Sequence, residues 1–219
     1  MTLVPKITLH DGTTIPQLAF GTWQVPDADV TPAVLHALET GYRHIDTAAI
    51  YGNEAGVGRA IAQGGVARED LYVTTKLWND AHQKADARRA IETSLEKLGL
   101  DHVDLYLIHW PSTVKYGDAY IEAWDALQEF KAEGLATSIG VSNFHVHHLD
   151  ALRADRGGDD GQALGQGLLQ KACLELPVFA VGFQQDARGG GEEAQHQNNR
   201  VQAAFFSGAL LCHHHFLSE

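Results

Sequence analysis

Along residues 1–152, short apolar, β-prone runs alternate with segments of helical periodicity. The chain opens with Ile7-Thr8-Leu9-His10-Asp11-Gly12-Thr13-Thr14-Ile15, where an Asp-Gly pair between two β-prone stretches predicts a hairpin. Strand-like runs then begin near Leu18, His44, Leu71, Val103 and Thr137, at separations of 26, 27, 32 and 34 residues. That spacing is close to the ~30 residues of one strand-plus-helix unit. Between the runs, Val30, Ala33, Val34, Ala37 and Leu38 form one helical stripe, and Ala87, Ile91, Leu95 and Leu98 another. Tyr120, Trp124 and Leu127 mark a further helix. Repeated strand-helix units predict an α/β fold with a parallel sheet, either doubly wound or closed into a barrel.

After Leu152 the alternation fails. Residues 156–219 hold 10 Gly and 8 Gln, and only 168–183 and 203–212 are apolar enough to pack. The pattern divides the chain into a strand-helix portion, 1–152, and an atypical Gly/Gln-rich tail, 153–219.

Composition narrows the class. Hydrophobic residues are 44% and charged residues 20% of the chain, an ordinary globular balance. A net charge of −12 with no basic stripe argues against a nucleic-acid partner. No apolar run reaches the ~20 residues of a membrane span, and the N-terminus does not have a signal peptide's layout. Two cysteines, Cys173 and Cys212, build no disulfide framework, so a cytoplasmic setting is expected.

Candidate chemistry comes from polar residues at the ends of the strand runs. Asp46 ends the second run, Lys76 the third and His109 the fourth, while Tyr51 follows Asp46 in the same loop. In a strand-helix barrel those ends form one face. Singly, each has a plain reading as a cap, a solvated charge or a packing ring; together they make a device for protonating a carbonyl. A Tyr phenol ordinarily ionises near pH ~10, and a Lys ammonium within ~4–6 Å is expected to lower that value. Asp46 would pair with Lys76, and His109 would give a second hydrogen bond to the carbonyl oxygen. Gly56-Val57-Gly58 does not make a dinucleotide fingerprint and reads as helix. His145, His147 and His148 are weak metal candidates, and no metal is expected.

The motifs resemble a known family. Gly41-Tyr42-Arg43-His44-Ile45-Asp46-Thr47-Ala48 with Tyr51-Gly52-Asn53-Glu54 and Gly58 is similar to the first signature of the aldo-keto reductases. Thr74-Thr75-Lys76-Leu77-Trp78 resembles their lysine strand, and Asp104-Leu105-Tyr106-Leu107-Ile108-His109-Trp110-Pro111 their histidine strand. Gly134-Leu135 through Ile139-Gly140-Val141-Ser142-Asn143-Phe144 resembles their second signature. The details are most like those of bacterial 2,5-diketo-D-gluconate reductase-type members, over residues 1–155. The resemblance implies a (β/α)8 TIM-barrel fold, NADPH as cofactor, a small carbonyl compound as substrate and a monomer. It implies Asp46, Tyr51, Lys76 and His109 as the catalytic tetrad, with Tyr51 the proton donor. Gly21, Thr22, Trp23 and Asp46 would border the nicotinamide ribose, Ser142 and Asn143 would hold the carboxamide, and Trp23, Trp78 and Trp110 would wall the substrate pocket.

The likeness stops after five strand-helix units. The family's strand-six Gln, its later nicotinamide-stacking aromatic segment and its Lys-Ser pair and Arg for the 2′-phosphate have no counterpart. Leu174-Glu175-Leu176-Pro177 and Phe183-Gln184-Gln185 are out-of-register echoes of the strand-six region. Three more units need about 90 residues, and 67 follow Leu152. An incomplete barrel is therefore expected, with open strand edges through which the chain could self-associate. Two functional readings stand: an NADPH-dependent carbonyl reductase, or an inactive fragment that lacks much of the cofactor site. A disturbed reading frame near residue 156 and a shortened variant are the two accounts of the tail.

Overall fold

The computed structural model describes residues 4–154. The expectations about residues 156–219, including the strand-six echoes, lie outside the described residues. Strands β1 (Lys6–Thr8) and β2 (Thr14–Pro16) pair antiparallel around the Asp11-Gly12 turn, as the pattern predicts. Five parallel strands follow: β3 (Phe20–Gly21), β4 (His44–Asp46), β5 (Tyr72–Leu77), β6 (Val103–Ile108) and β7 (Ala136–Val141). They lie side by side in sequence order, each hydrogen-bonded to the next. Helices α1 (Asp27–Glu39), α2 (Glu54–Gln63), α3 (Lys84–Leu98), α4 (Thr113–Tyr116), α5 (Ala119–Ala132) and α6 (Val146–Ala154) fill the connections. This is the parallel strand-helix alternation of a (β/α)8-type barrel, incomplete among the described residues. Helix α6 continues two residues past Leu152.

Side-chain alternation along the strands creates two apolar layers. Val73 and Leu77 of β5 and Tyr106 and Ile108 of β6 face the helices, where they join Val30, Val34, Leu38, Ile91, Leu98, Leu127 and Phe130 in the main core. The predicted stripes supply this layer. Val30, Val34, Ala37 and Leu38 are buried in α1, and all four predicted positions are buried in α3. In α5 Tyr120 and Leu127 are buried and Trp124 is half-buried. Burying a residue such as Leu or Phe contributes about 2 kcal/mol, so this layer supplies most of the driving force. The opposite sheet face carries Tyr72 and Leu105, closed from below by Ile15, Ile7 and Leu9 of the hairpin. The hairpin is fastened across the sheet by Asp11, whose carboxylate accepts hydrogen bonds from Lys131 and Ser138.

The Gly56-Val57-Gly58 segment lies within α2, as its sequence suggests. A Cβ on Gly58 would sit 2.5 Å from the carbonyl oxygen of Lys97 and 2.6 Å from that of Leu98. These glycines therefore serve close helix–helix approach rather than phosphate binding. No helix among the described residues is long and apolar enough to cross a membrane.

Candidate active site

Register decides which side chains meet. Gly21 of β3 pairs with Asp46 of β4, Asp46 with Thr74 of β5, and Lys76 with Leu107 of β6. Asp46, Lys76 and His109 thus leave adjacent parallel strands at the same end and on the same face. A single-turn helix, Ala49–Tyr51, follows β4 and brings Tyr51 back over that end.

Lys76 is 6% exposed, and its Nζ donates to Asp46 Oδ1 at 2.7 Å and to the Thr47 carbonyl at 2.9 Å. A buried ammonium is tolerated only when paired and hydrogen-bonded, and both partners come from the end of β4. The same Nζ stands 5.3 Å from the centre of the Tyr51 ring. The Tyr51 and His109 rings meet edge-to-face with centroids 5.7 Å apart, and the Trp78 ring meets His109 edge-to-face at 5.2 Å. The four predicted polar residues are therefore in one cluster.

One electrostatic expectation is overturned. Lys76 was expected to lower the Tyr51 pKa, but burial pushes that phenol above its usual value and the Asp46 carboxylate pushes it further. The physical reason is first that burial strips the phenolate of water, and second that the carboxylate paired with Lys76 at contact distance repels it. Tyr51 accordingly stays protonated across the physiological range. Burial, with the Lys76 charge adding to it, depresses His109 to about 4, so its imidazole is neutral at pH ~7. Its Nδ1 is buried with no hydrogen-bond partner among the described residues.

The expected cofactor residues lie at the C-terminal ends of β3, β4 and β7. Gly21 is exposed, with open space where a side chain would stand. Thr22 is buried; its backbone N–H donates to the Asp46 carbonyl, and its one hydroxyl hydrogen is shared between that carbonyl and Asn53 Oδ1, each at 3.3 Å. Asn143 adopts a left-handed backbone, with φ of 63°, and its amide nitrogen donates to the His109 carbonyl and to Ser142 Oγ. Those two bonds hold the end of β7 against His109. They leave the Ser142 hydroxyl hydrogen as donor and Asn143 Oδ1 as acceptor, a pair that matches the two halves of a carboxamide. This donor set fits the nicotinamide end of the expected cofactor.

The pocket tryptophans divide. Trp78 is half-buried against His109, whereas Trp23 is 43% and Trp110 46% exposed. With Ile50, Val114 and Val146 they are the large exposed apolar residues among those described, and each follows the C-terminal end of a parallel strand. An apolar rim confined to one face marks a ligand-binding mouth. His148 of the histidine trio is buried against Tyr120 and Phe144, and the described residues contain no group of three or more ligands arranged for a metal.

The sequence reading gave no individual role to Thr47 or Asn53. Thr47 offers a backbone carbonyl, which leaves no trace in residue identity. Asn53 stands in the first signature without a role of its own; only tertiary structure shows it fully buried.

Comparison with known proteins agrees with the motifs. The aldo/keto reductase family profile matches residues 17–160. Methylglyoxal reductase DkgA of Yersinia pestis is 52% identical over 157 residues, 72% of this chain and 55% of that protein. DkgA of Escherichia coli K12 is 52% identical over 151 residues, 69% of this chain and 54% of that protein. The chain thus spans about half the length of the curated relatives it matches. A crystal structure of an aldo/keto reductase from Brucella melitensis superposes with a TM-score of 0.67 at 51% identity, covering 70% of this chain and 59% of that one. That of a Bombyx mori aldo-keto reductase in complex with NADP gives 0.64 at 45% identity, covering 71% and 55%. With its matched profile, its parallel strand order and its clustered Asp, Tyr, Lys and His, this chain belongs to the aldo/keto reductase family.

Proposed function

We propose that this chain carries the proton-transfer side of an NADPH-dependent reductase converting small aldehydes or ketones to alcohols in the cytoplasm. The observation that carries the reading is the meeting of a protonated Tyr51 with the Lys76–Asp46 pair and a neutral His109 beneath an apolar rim. Gly21, Thr22, Trp23, Asp46, Ser142 and Asn143 are the residues that would hold the nicotinamide end. NADPH held there would supply the hydride that the carbonyl carbon takes up. Tyr51 gives its proton to the carbonyl oxygen, which becomes the alcohol hydroxyl, and the resulting phenolate recovers a proton from solvent. Lys76, whose Nζ stands 5.3 Å from the centre of the Tyr51 ring while Asp46 remains its contact partner, stabilises that transient phenolate electrostatically. Neutral His109 offers the carbonyl oxygen an N–H without competing as an acid. Trp23, Trp78 and Trp110 form the pocket wall, which suits a compact, partly apolar carbonyl compound. The relatives named for methylglyoxal reduction point to small dicarbonyls as the first substrates to try.

A second reading is favoured by the half-length match to the relatives. The residues assigned above reach only the nicotinamide end, and none of those described is assigned to the adenine or 2′-phosphate. The chain would then be an inactive fragment with a reductase-like cluster. Cofactor oxidation with a panel of aldehydes and dicarbonyls separates the two. Turnover lost by about 10²–10⁴-fold in Tyr51→Phe supports the enzyme; turnover no higher than that variant's refutes it. Micromolar NADPH affinity by fluorescence titration counts against the fragment reading.

A further inference from the structure

Asn53 occupies the N-cap position of α2, yet its side chain makes no capping bond to its own helix. Asparagine at that position ordinarily caps. Here the side chain is turned away and wholly buried, and the whole amide is committed elsewhere. Nδ2 donates to the carbonyls of Thr22 and Val25, each at 2.8 Å. Oδ1 accepts from the hydroxyls of Thr22 at 3.3 Å and Thr47 at 3.1 Å.

The two gripped carbonyls bracket a strained turn. Val25 N donates to Thr22 O at 3.2 Å, closing a four-residue turn with Trp23 and Gln24 at its centre. Gln24 has φ of 62° while Trp23 has none of the positive φ reserved for the left-handed region, which is the sign pattern of a type II turn. That pattern calls for glycine at the Gln24 position, because a Cβ is disfavoured at positive φ. A non-glycine residue persists there only when its surroundings over-determine the conformation. The Asn53 amide, fixed at both ends of the turn, provides that constraint. Through the Thr47 hydroxyl it also reaches the residue whose carbonyl holds Lys76 Nζ.

We propose that Asn53 is a positioning residue, which holds the strained Thr22–Val25 turn, and with it Trp23, in fixed relation to the Tyr51–Lys76 pair. The inference rests on the reductase reading for its catalytic consequence but not for its structural one. Tyr51 lies two residues before Asn53 in the same loop, so one amide sets the wall and the proton donor together. Catalysis tolerates little displacement of such groups, and an error of ~1 Å can cost about a hundredfold.

The test uses the full chain labelled with 5-fluorotryptophan, which gives one fluorine signal for each of four tryptophans. The Trp23 signal is assigned with Trp23→Phe. In Asn53→Ala that signal should shift or broaden while that of Trp124 on α5 holds, and kcat/KM for carbonyl reduction should fall about a hundredfold. Adding Gln24→Gly removes the strain and should return the Trp23 signal towards its native position, with recovery of most of the lost kcat/KM. A native Trp23 signal in folded Asn53→Ala, or no restoration by Gln24→Gly, overturns the proposal. If Asn53→Ala does not fold, Asn53→Asp keeps the two acceptor contacts and removes both donors, and the same signal decides. Gln24→Gly alone should raise the urea midpoint; an unchanged or lowered midpoint means the turn is unstrained and also overturns the proposal. If the unaltered chain turns over no carbonyl compound, the reductase reading fails while the fluorine signals still decide the role of Asn53.

Discussion

Replacing Gly58 by alanine sets two large effects against each other in a place where their difference is measurable. Gly58 lies inside α2, where alanine is favoured over glycine by about 1 kcal/mol. Its Cα faces the last turn of α3, and the added Cβ would lie 2.5 Å from Lys97 O, 2.6 Å from Leu98 O and 2.7 Å from Leu98 C. The shortest of these falls about 0.9 Å inside an ordinary 3.4 Å contact. All three are backbone atoms, so no side-chain rotation relieves the overlap. The helices must separate, and Val57, Ala60, Leu95 and Leu98 lose packing between them. Overpacking of this kind costs about 1–3 kcal/mol, and the backbone obstruction puts this site at the upper end. The expected net destabilisation is about 2 kcal/mol after the gain in helix propensity. Equilibrium urea denaturation reads it as a lower midpoint at unchanged slope. Because α2 starts at Glu54, three residues after Tyr51, a shifted helix should also reduce carbonyl turnover. A Gly58→Ala chain as stable as the original, or more so, would refute the claim that close helix approach explains this glycine.

Other outcomes follow from the same geometry. His109 has a folded-state pKa of about 4 against an ordinary 6.5, so its contribution is present above pH 6.5 and is lost as pH falls towards 4. That contribution is up to about 3 kcal/mol; His109→Gln should flatten the acid limb of a stability–pH curve, and an unchanged slope would refute it. Burial opposes ionisation of Asp11, but bonds from Lys131, Thr13 and Ser138 hold its carboxyl well below the usual range, which contributes stability that fades as pH drops through that lowered value. Asp11 is partly exposed, so Asp11→Asn should lower stability at neutral pH by about 1 kcal/mol, read from the urea midpoint; an unaltered midpoint would show that the hairpin is held by its apolar residues alone. Among the described residues β3 pairs only with β4 and β7 only with β6, so the full chain should self-associate through open edges. Sedimentation velocity over a range of concentrations tests this, and a monodisperse monomer throughout would rule it out.

Local pattern was enough to read the hairpin, the five strand-helix units and the buried stripes of α1 and α3, because each depends on side chains within a few residues of one another. The Asp46, Tyr51, Lys76 and His109 positions were legible for a related reason. Parallel strands bring their C-terminal ends to one face, so a polar residue at each run's end reports its own destination. What sequence could not supply was the balance of forces at that face. Lys76 near Tyr51 suggested a lowered phenol pKa, and the outcome reversed because burial and the Asp46 charge outweigh a cation already neutralised at 2.7 Å. Desolvation is a sum over every atom around a group, and no motif encodes it. The same holds for Asn53. In sequence it is one member of the Tyr51-Gly52-Asn53-Glu54 motif, while three of its four hydrogen bonds reach segments more than 25 residues away and the fourth a residue six positions away. Sequence determined which residues arrive at the site; the packing of loops from β3 and β4 onto each other decided what each of them does there, since burial and hydrogen-bond geometry exist only once those distant segments are in contact.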